Sequence, residues 1–254
     1  LGTYSGSSAN TTSTLTQEKL NWRVLDVKDG QVRLISEVPT TSKIALSGYN
    51  GYNNSVKLLD DTSSTLYNNS KLASKVQNLK IEDITAHMKT QPTEDTTEYT
   101  PTNINYPKIL EQEENQTVEN STTGNKIKLS EQKEFVTGKA TSATSILKNT
   151  YWSKLMRTEY FDSQYYKLFI IDNVSYYSTY WISSRCVNFY INPAFYVRMV
   201  NEGSVDGDSL YISGVPDYEY ACAFRPVITL NSNVQIDTAN SGDGSTAESG
   251  YAIK

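Results

Sequence analysis

A chain of 254 residues is long enough for one large domain, but a hydrophobic fraction of 37% is too low for every part of it to join a core. The formal charge of −5, with lysines scattered singly among Ser, Thr and Asn, excludes the clustered basic surface that nucleic-acid binding requires. No apolar run approaches the ~20 residues needed to cross a bilayer, so no membrane span is expected within this sequence.

Residues 1–19 are Ser, Thr, Asn and Gly with almost no apolar partner, and read as a polar lead-in or linker. A single α+β domain is expected over 20–235, with a polar insertion at about 91–134 and a polar tail over 236–254. Trp22-Arg23-Val24-Leu25-Asp26-Val27 and Gln31-Val32-Arg33-Leu34-Ile35-Ser36 alternate around Lys28-Asp29-Gly30, which predicts a β-hairpin with Trp22, Val24, Val32 and Leu34 as inward or cross-strand residues. After a loop over Ser47–Asn54, Val56, Leu58, Leu59, Leu66 and Tyr67 recur at helical spacing. Leu79–Met88 reads as a second helix with Glu82 and Asp83 in its first turn, and Ala143–Met156 as a third. Lys126–Leu129 has strand character and is expected to rejoin the sheet. Further strands are expected at 167–172, 179–187, 194–200, 209–213 and 221–230, with a Gly- and Asp-rich turn over 201–208 and the helices on one side of the sheet.

Both cysteines lie in strand-like runs, Tyr180-Trp181-Ile182-Ser183-Ser184-Arg185-Cys186 and Cys222-Ala223-Phe224-Arg225-Pro226-Val227-Ile228-Thr229-Leu230. They read most simply as a disulfide, Cys186–Cys222, between neighbouring strands, with two buried thiols as the alternative. Trp22, Trp181, Arg185 and Arg225 are assigned structural roles, the arginines through internal acids or carbonyls.

No catalytic residue is nominated. His87 is the only histidine, which rules out multi-histidine metal sites, and it reads as a surface or boundary residue. Ser145-Ile146-Leu147-Lys148 matches the Ser-x-x-Lys pattern of penicillin-binding enzymes but lacks its companion motifs. Glu82-Asp83 and Asp60-Asp61 are adjacent acids that suit helix ends better than glycosidase chemistry. No cofactor is expected; Ca²⁺ is the one metal to weigh, on the Glu202, Asp206 and Asp208 turn, and a solvated turn is preferred there. Nineteen tyrosines against six phenylalanines is the feature that favours recognition, because Tyr couples apolar area to a hydroxyl at low entropic cost. The candidate ligand-binding set is Tyr190, Tyr196, Arg198, Tyr211, Tyr218 and Tyr220.

The ordered motifs Trp22-Arg23-Val24-Leu25, Leu34-Ile35-Ser36, Gly48-Tyr49-Asn50-Gly51-Tyr52-Asn53-Asn54, Tyr180–Cys186 and Phe224–Leu230 resemble an uncharacterised extracellular domain of gut-dwelling Gram-positive bacteria. Tyr180-Trp181 followed by Phe224-Arg225-Pro226-Val227 is more distantly similar to C-type-lectin-like domains of the formylglycine-generating-enzyme kind. That likeness implies an irregular, loop-rich α+β domain with small antiparallel sheets and two or three helices. The lectin calcium motifs and the enzyme's copper-binding cysteines are absent, so neither activity carries over. The combined expectation is a non-enzymatic, extracellular or surface-anchored bacterial module that binds protein or glycan, with a signal or anchor upstream of Leu1. A subunit of a pilus-like appendage and a glycan or cell-wall hydrolase are the alternatives.

Overall fold

The computed structural model describes residues 15–89, 117–119, 126–128, 161–171, 180–188, 194–201, 204–212, 219–246 and 248–253. Within them the chain runs β1 (Trp22–Lys28), β2 (Gln31–Ser36), β3 (Ile44–Ser47), α1 (Gly48–Tyr67), β4 (Ala73–Asn78), α2 (Ile81–Thr85), β5 (Thr117–Glu119), β6 (Lys126–Lys128), α3 (Ser163–Phe169), β7 (Tyr180–Asn188), β8 (Ala194–Asn201), β9 (Ser204–Ile212), β10 (Glu219–Phe224) and β11 (Pro226–Leu230). It is a mixed α+β fold. A four-stranded sheet has the order β1-β2-β11-β4 and a five-stranded sheet the order β3-β10-β7-β8-β9, while β5 and β6 pair only with each other. The expected return of the Lys126 strand to a main sheet is therefore replaced by a separate ladder. The third helix, over 143–156, and most of the 91–134 insertion lie outside the described residues.

The hairpin closes as its turn residues dictate. Asp29 and Gly30 take positive φ of 52° and 76°, the left-handed pair that a tight two-residue turn demands. Val24 and Leu34 are cross-strand partners, one of the two roles expected of them, and Trp22 packs against the first cluster. A register shift between Val24 and Asp26 inserts a bulge, and Leu25, Arg33 and Ile35 are buried while Val24 is 56% exposed rather than inward.

Helix α1 takes in the segment expected as a loop. Its buried stripe is Ser55, Leu58, Leu59, Thr62, Ser63 and Tyr67, helical spacing that includes hydroxyls the hydrophobic pattern did not count. Gly51 lets the helix approach β3, since a Cβ there would stand 3.0 Å from the Leu46 carbonyl carbon. Across the sheets lie α2 and α3, so helices cover both faces rather than one. Strand β7 makes the division visible: Trp181 points into the cluster of Leu46, Leu58, Leu59 and Phe224, whereas Tyr180 and Ile182 point into that of Ile84, Phe161, Phe169 and Val227. A sheet covered on both faces explains why the β7, β10 and β11 segments read as nearly continuous apolar runs.

Residues 167–169, expected as strand, belong to α3, because Tyr165, Leu168 and Phe169 satisfy a helical period against the second cluster. The β8–β9 turn is tighter than the expected 201–208. Asn201 pairs with Ser204, and Asp206 and Asp208 occupy ladder positions opposite Met199 and Val197. They are strand residues.

The docked chain starts before residue 20. Leu15 is buried in the first cluster, and Trp22 packs edge-on against Tyr67 at 5.8 Å. The Glu18 carboxylate accepts from the amides of Thr41 and Ser42 at 2.8 and 2.9 Å. Burial opposes its ionisation, but these amides prevail and hold the carboxyl below its ordinary value. At the other end Ile236 pairs with Ile253, and Asp243 accepts from the hydroxyl and amide of Ser245 and the hydroxyl of Ser249. Those bonds lower its carboxyl to about 2.

Leu15→Ala is expected to cost about 2–3 kcal/mol in urea denaturation, the scale of a buried Leu truncated to Ala, whereas a mere linker would cost nothing. Because the Glu18 carboxyl is lowered on folding, its contribution is present above the unfolded value and fades as pH falls through the folded one. The stability gap between wild type and Glu18→Gln, measured by thermal denaturation from pH 7 to pH 3, should therefore shrink towards the acid end.

Candidate functional site

Strand β10 leaves the five-stranded sheet at Phe224 and β11 enters the four-stranded sheet at Pro226, so Arg225 stands where the chain crosses between sheets. Proline as the first residue of a strand needs no ladder donor there. Arg225 is completely buried and touches no carboxylate among its described partners. Its NH1 donates to Leu168 O at 2.7 Å, and its NH2 to Ser36 O at 2.5 Å and Glu37 O at 3.2 Å. The guanidinium also lies 5.2 Å from the centre of the Tyr180 ring, whose hydroxyl donates to Phe169 O at 2.7 Å. Burial raises the Tyr180 phenol above its ordinary value despite the opposing charge of Arg225. Asn78 completes the junction, accepting from Arg225 N at 2.9 Å and donating to Trp181 O at 2.9 Å. The Trp181 indole donates to Ile44 O at 2.8 Å. Arg225 and Trp181 thus occupy structural positions, fastening α3, β2 and both sheets through main-chain carbonyls.

A second polar cluster lies between the hairpin, α2 and α3. Arg33 donates through Nε to Asp26 Oδ1 at 2.6 Å, through NH2 to Asp26 Oδ2, and through NH1 to Asp83 Oδ1 at 2.5 Å. The Asp26 bonds, then those of Asp83, raise the guanidinium above its ordinary value against the pull of burial. Asp83 also accepts from Lys80 N at 3.1 Å, capping α2. His87 sits beside them, with Nε2 3.2 Å from Asp26 Oδ2 and Nδ1 2.7 Å from Asp83 O. Its ring packs on Tyr165 at 4.3 Å and Phe169 at 5.9 Å. It is thus a boundary residue whose ring turns inward, with Nδ1 at the backbone and Nε2 at ion-pair distance from Asp26. Asp60 and Asp61 likewise pair with Lys80 at 3.0 Å and Lys57 at 2.5 Å.

Of the nominated ligand-binding residues, Arg198 is buried, Tyr196 is half-buried on the same strand, and Tyr220 is half-buried against the first cluster on β10. Tyr211 is described only as a backbone position of β9 opposite Phe195, and Tyr190, Tyr218 and Glu202 lie outside the described residues. No group of three or more metal-ligating side chains is found among the described residues.

The expected Cys186–Cys222 bridge does not fit the ladder. Strands β7 and β10 are neighbours, but parallel, with Ala223 opposite Tyr180 and Phe224 opposite Trp181. Cys222 stands just before this pair and opposite Ile44, whereas Cys186 lies well beyond it and opposite Tyr196. At about 3.3 Å per residue, and allowing for the bulge between Trp181 and Arg185, the two are on the order of 15–20 Å apart. A disulfide needs about 4.4–6.8 Å between Cα atoms. Arg185 too is described only as a backbone position, opposite Val197.

Sequence reasoning missed the Asp26–Arg33–Asp83–His87 cluster. The signal was available in part: Arg33 interrupts an apolar run on a face shared with Ile35, and a charged residue there calls for an internal partner. Arg225→Lys should destabilise by about 3 kcal/mol or more in urea denaturation, since one ammonium cannot reach three separated carbonyls and each buried acceptor left unpaired costs about 1–3 kcal/mol. Comparison of the chain with protein families, with curated proteins and with solved structures returns no match.

Proposed function

We propose that this chain is a non-enzymatic recognition module of a bacterial cell surface, binding protein or glycan through tyrosines borne on the β7–β10 region. The reading draws its support from the direction in which reactive groups point. Asp26, Arg33, Asp83, His87 and Arg225 are turned towards one another and towards the backbone. Tyr196 and Tyr220 are partly exposed on β8 and β10, and tyrosine couples apolar area to a hydroxyl.

A glycan array and a surface-protein panel, run with calcium and with chelator, test this. Binding should be selective, calcium-independent and reduced about tenfold or more by Tyr196→Ala or Tyr220→Ala, the loss of about 1.4 kcal/mol. Release of reducing ends from cell-wall or dietary glycans would replace the module with a hydrolase. The appendage-subunit reading has one observation in its favour: Val24 and Val27 are 56% and 65% exposed on the edge strand β1. Concentration-dependent assembly abolished by Val27→Lys would favour it.

A further inference from the structure

The large apolar side chains exposed among the described residues are Val24, Val27, Val38, Ile236, Tyr251 and Ile253, and all but Val38 fall on two surfaces. The first belongs to the β1–β2 hairpin. Val24 stands opposite Leu34 and Val27 opposite Val32, and because Val32 and Leu34 are two residues apart on β2, all four share one face. The bulge between Val24 and Asp26 makes this possible, since valines three residues apart on a regular strand point to opposite faces. Asp26 takes the other face with Arg33, while Val24 and Val27 remain 56% and 65% exposed. Strand β1 is also the edge of its sheet.

The second surface is the hairpin closed by the Ile236–Ile253 bridge. Its two arms are joined by Asp237 N to Ala252 O at 2.9 Å, Gly242 N to Gly250 O at 3.1 Å and Gly244 N to Ser249 O at 2.7 Å. As bridge partners Ile236 and Ile253 share a face, and Tyr251, two residues from Ile253, joins it. The three are 51%, 39% and 57% exposed and belong to neither core cluster. The Tyr251 ring lies against the main chain at Gly244, where a Cβ would come within 2.4 Å of Cε2, so it is positioned before any partner arrives. A two-stranded hairpin is marginal by itself in water, and one with an open apolar face calls for a covering surface.

Charge decides which surface covers which. The hairpin carries Asp237, Asp243 and Glu248, with no Lys or Arg between Asn231 and Ile253. Two hairpins laid together would set acids against acids. Two β1 strands paired antiparallel with Val24 opposite Val27 would set Arg23 opposite Lys28, a like-charge pair that destabilises a ladder. Only the unlike pairing avoids both. On β1 the valines are flanked by the exposed Arg23 and Lys28, with Asp29 beyond in the turn. Glu37 answers Arg23 at 3.6 Å, which leaves Lys28, beside Val27, to meet an acid of the hairpin.

We propose that the Ile236–Ile253 hairpin of one copy docks on the Val24–Val27 face of a second copy, in head-to-tail association. The two contact surfaces differ, so each added copy presents a fresh one and the contact propagates into a row or ring. The bulge blunts β1 for ladder pairing, and side chains make the contact. Its small area places it among weak, concentration-dependent interfaces. The proposal extends the assembly alternative above, and binding through Tyr196 and Tyr220 stands or falls separately.

Sedimentation velocity of wild type, Val27→Asp and Tyr251→Ser tests it, at roughly 10 µM to 1 mM protein, the range of weak contacts. Wild type should grow in mass with concentration, and each variant alone should associate about tenfold or more weakly. Val27→Asp keeps the hairpin and Tyr251→Ser keeps the valine face, so an equimolar mixture should form a heterodimer and stop there, which also shows that both variants fold. A wild type that stays monomeric at the highest concentration, or a mixture that does not pair, overturns the proposal. Association that survives in either variant overturns it too, while leaving the assembly reading to another surface. Should either variant lose its cooperative melt, Lys28→Glu takes its place: it should weaken wild-type association about threefold or more, and unchanged association removes the proposal.

Discussion

The crossing at Arg225 is the constraint on which the rest of the structure depends. Two sheets share one continuous segment, β10 into β11, and a chain that leaves one ladder for another must leave main-chain acceptors near the gap. The guanidinium answers that need, because its planar fork offers donors in several directions at once. It gathers Ser36 O from the end of β2, Glu37 O just beyond it, and Leu168 O from α3. Asn78 performs the complementary task from β4, holding the Arg225 amide on one side and the Trp181 carbonyl on the other. Neither sheet could shift against the other without breaking several of these bonds together.

The second cluster obeys a different logic. Arg225 meets carbonyls, whose partial charges require little desolvation, whereas Arg33 meets two carboxylates, and each ion must be stripped of water to reach the other. Such an arrangement contributes less to stability than to uniqueness. Asp83 must face Arg33 while its second oxygen caps α2, and this admits one placement of that helix on the hairpin. With five residues, α2 lacks the length to choose a position by its own packing.

What could be read from the residues was governed by how local the cause was. The Asp29-Gly30 turn is a local backbone requirement, and the hairpin followed from it. The strands around Trp181, Val197 and Val227 were legible because burial on both faces leaves an apolar run. The strand read into 167–172 failed because Phe169 and Ile170 resemble strand residues until α3 finds its groove, a contact made with distant parts of the chain. Cross-strand pairing of Val24 with Leu34 was legible but not which face is buried, and the disulfide failed through strand direction, since adjacency says nothing about whether two strands run parallel. The hydroxyls of Ser55, Thr62 and Ser63 were invisible to hydrophobic periodicity although they lie on the buried stripe of α1. For the polar cluster, the hairpin register brings Asp26 opposite Arg33, but Asp83 and His87 arrive only when α2 docks.

The division of cations carries the synthesis one step further. Among the described side chains, Arg33, Arg198 and Arg225 are buried, whereas Arg23, Lys57, Lys71, Lys75 and Lys89 lie exposed. Arginine loses less hydration on burial and supplies more donors in a fixed geometry, so it is the cation a protein can place inside. Three of the four arginine side chains described are thus placed in the interior, while at the surface Arg23 pairs with Glu37, Lys57 with Asp61 and Lys89 with Asp162. The internal arginines join elements distant in sequence, whereas these outer pairs are solvent-screened and contribute little to stability.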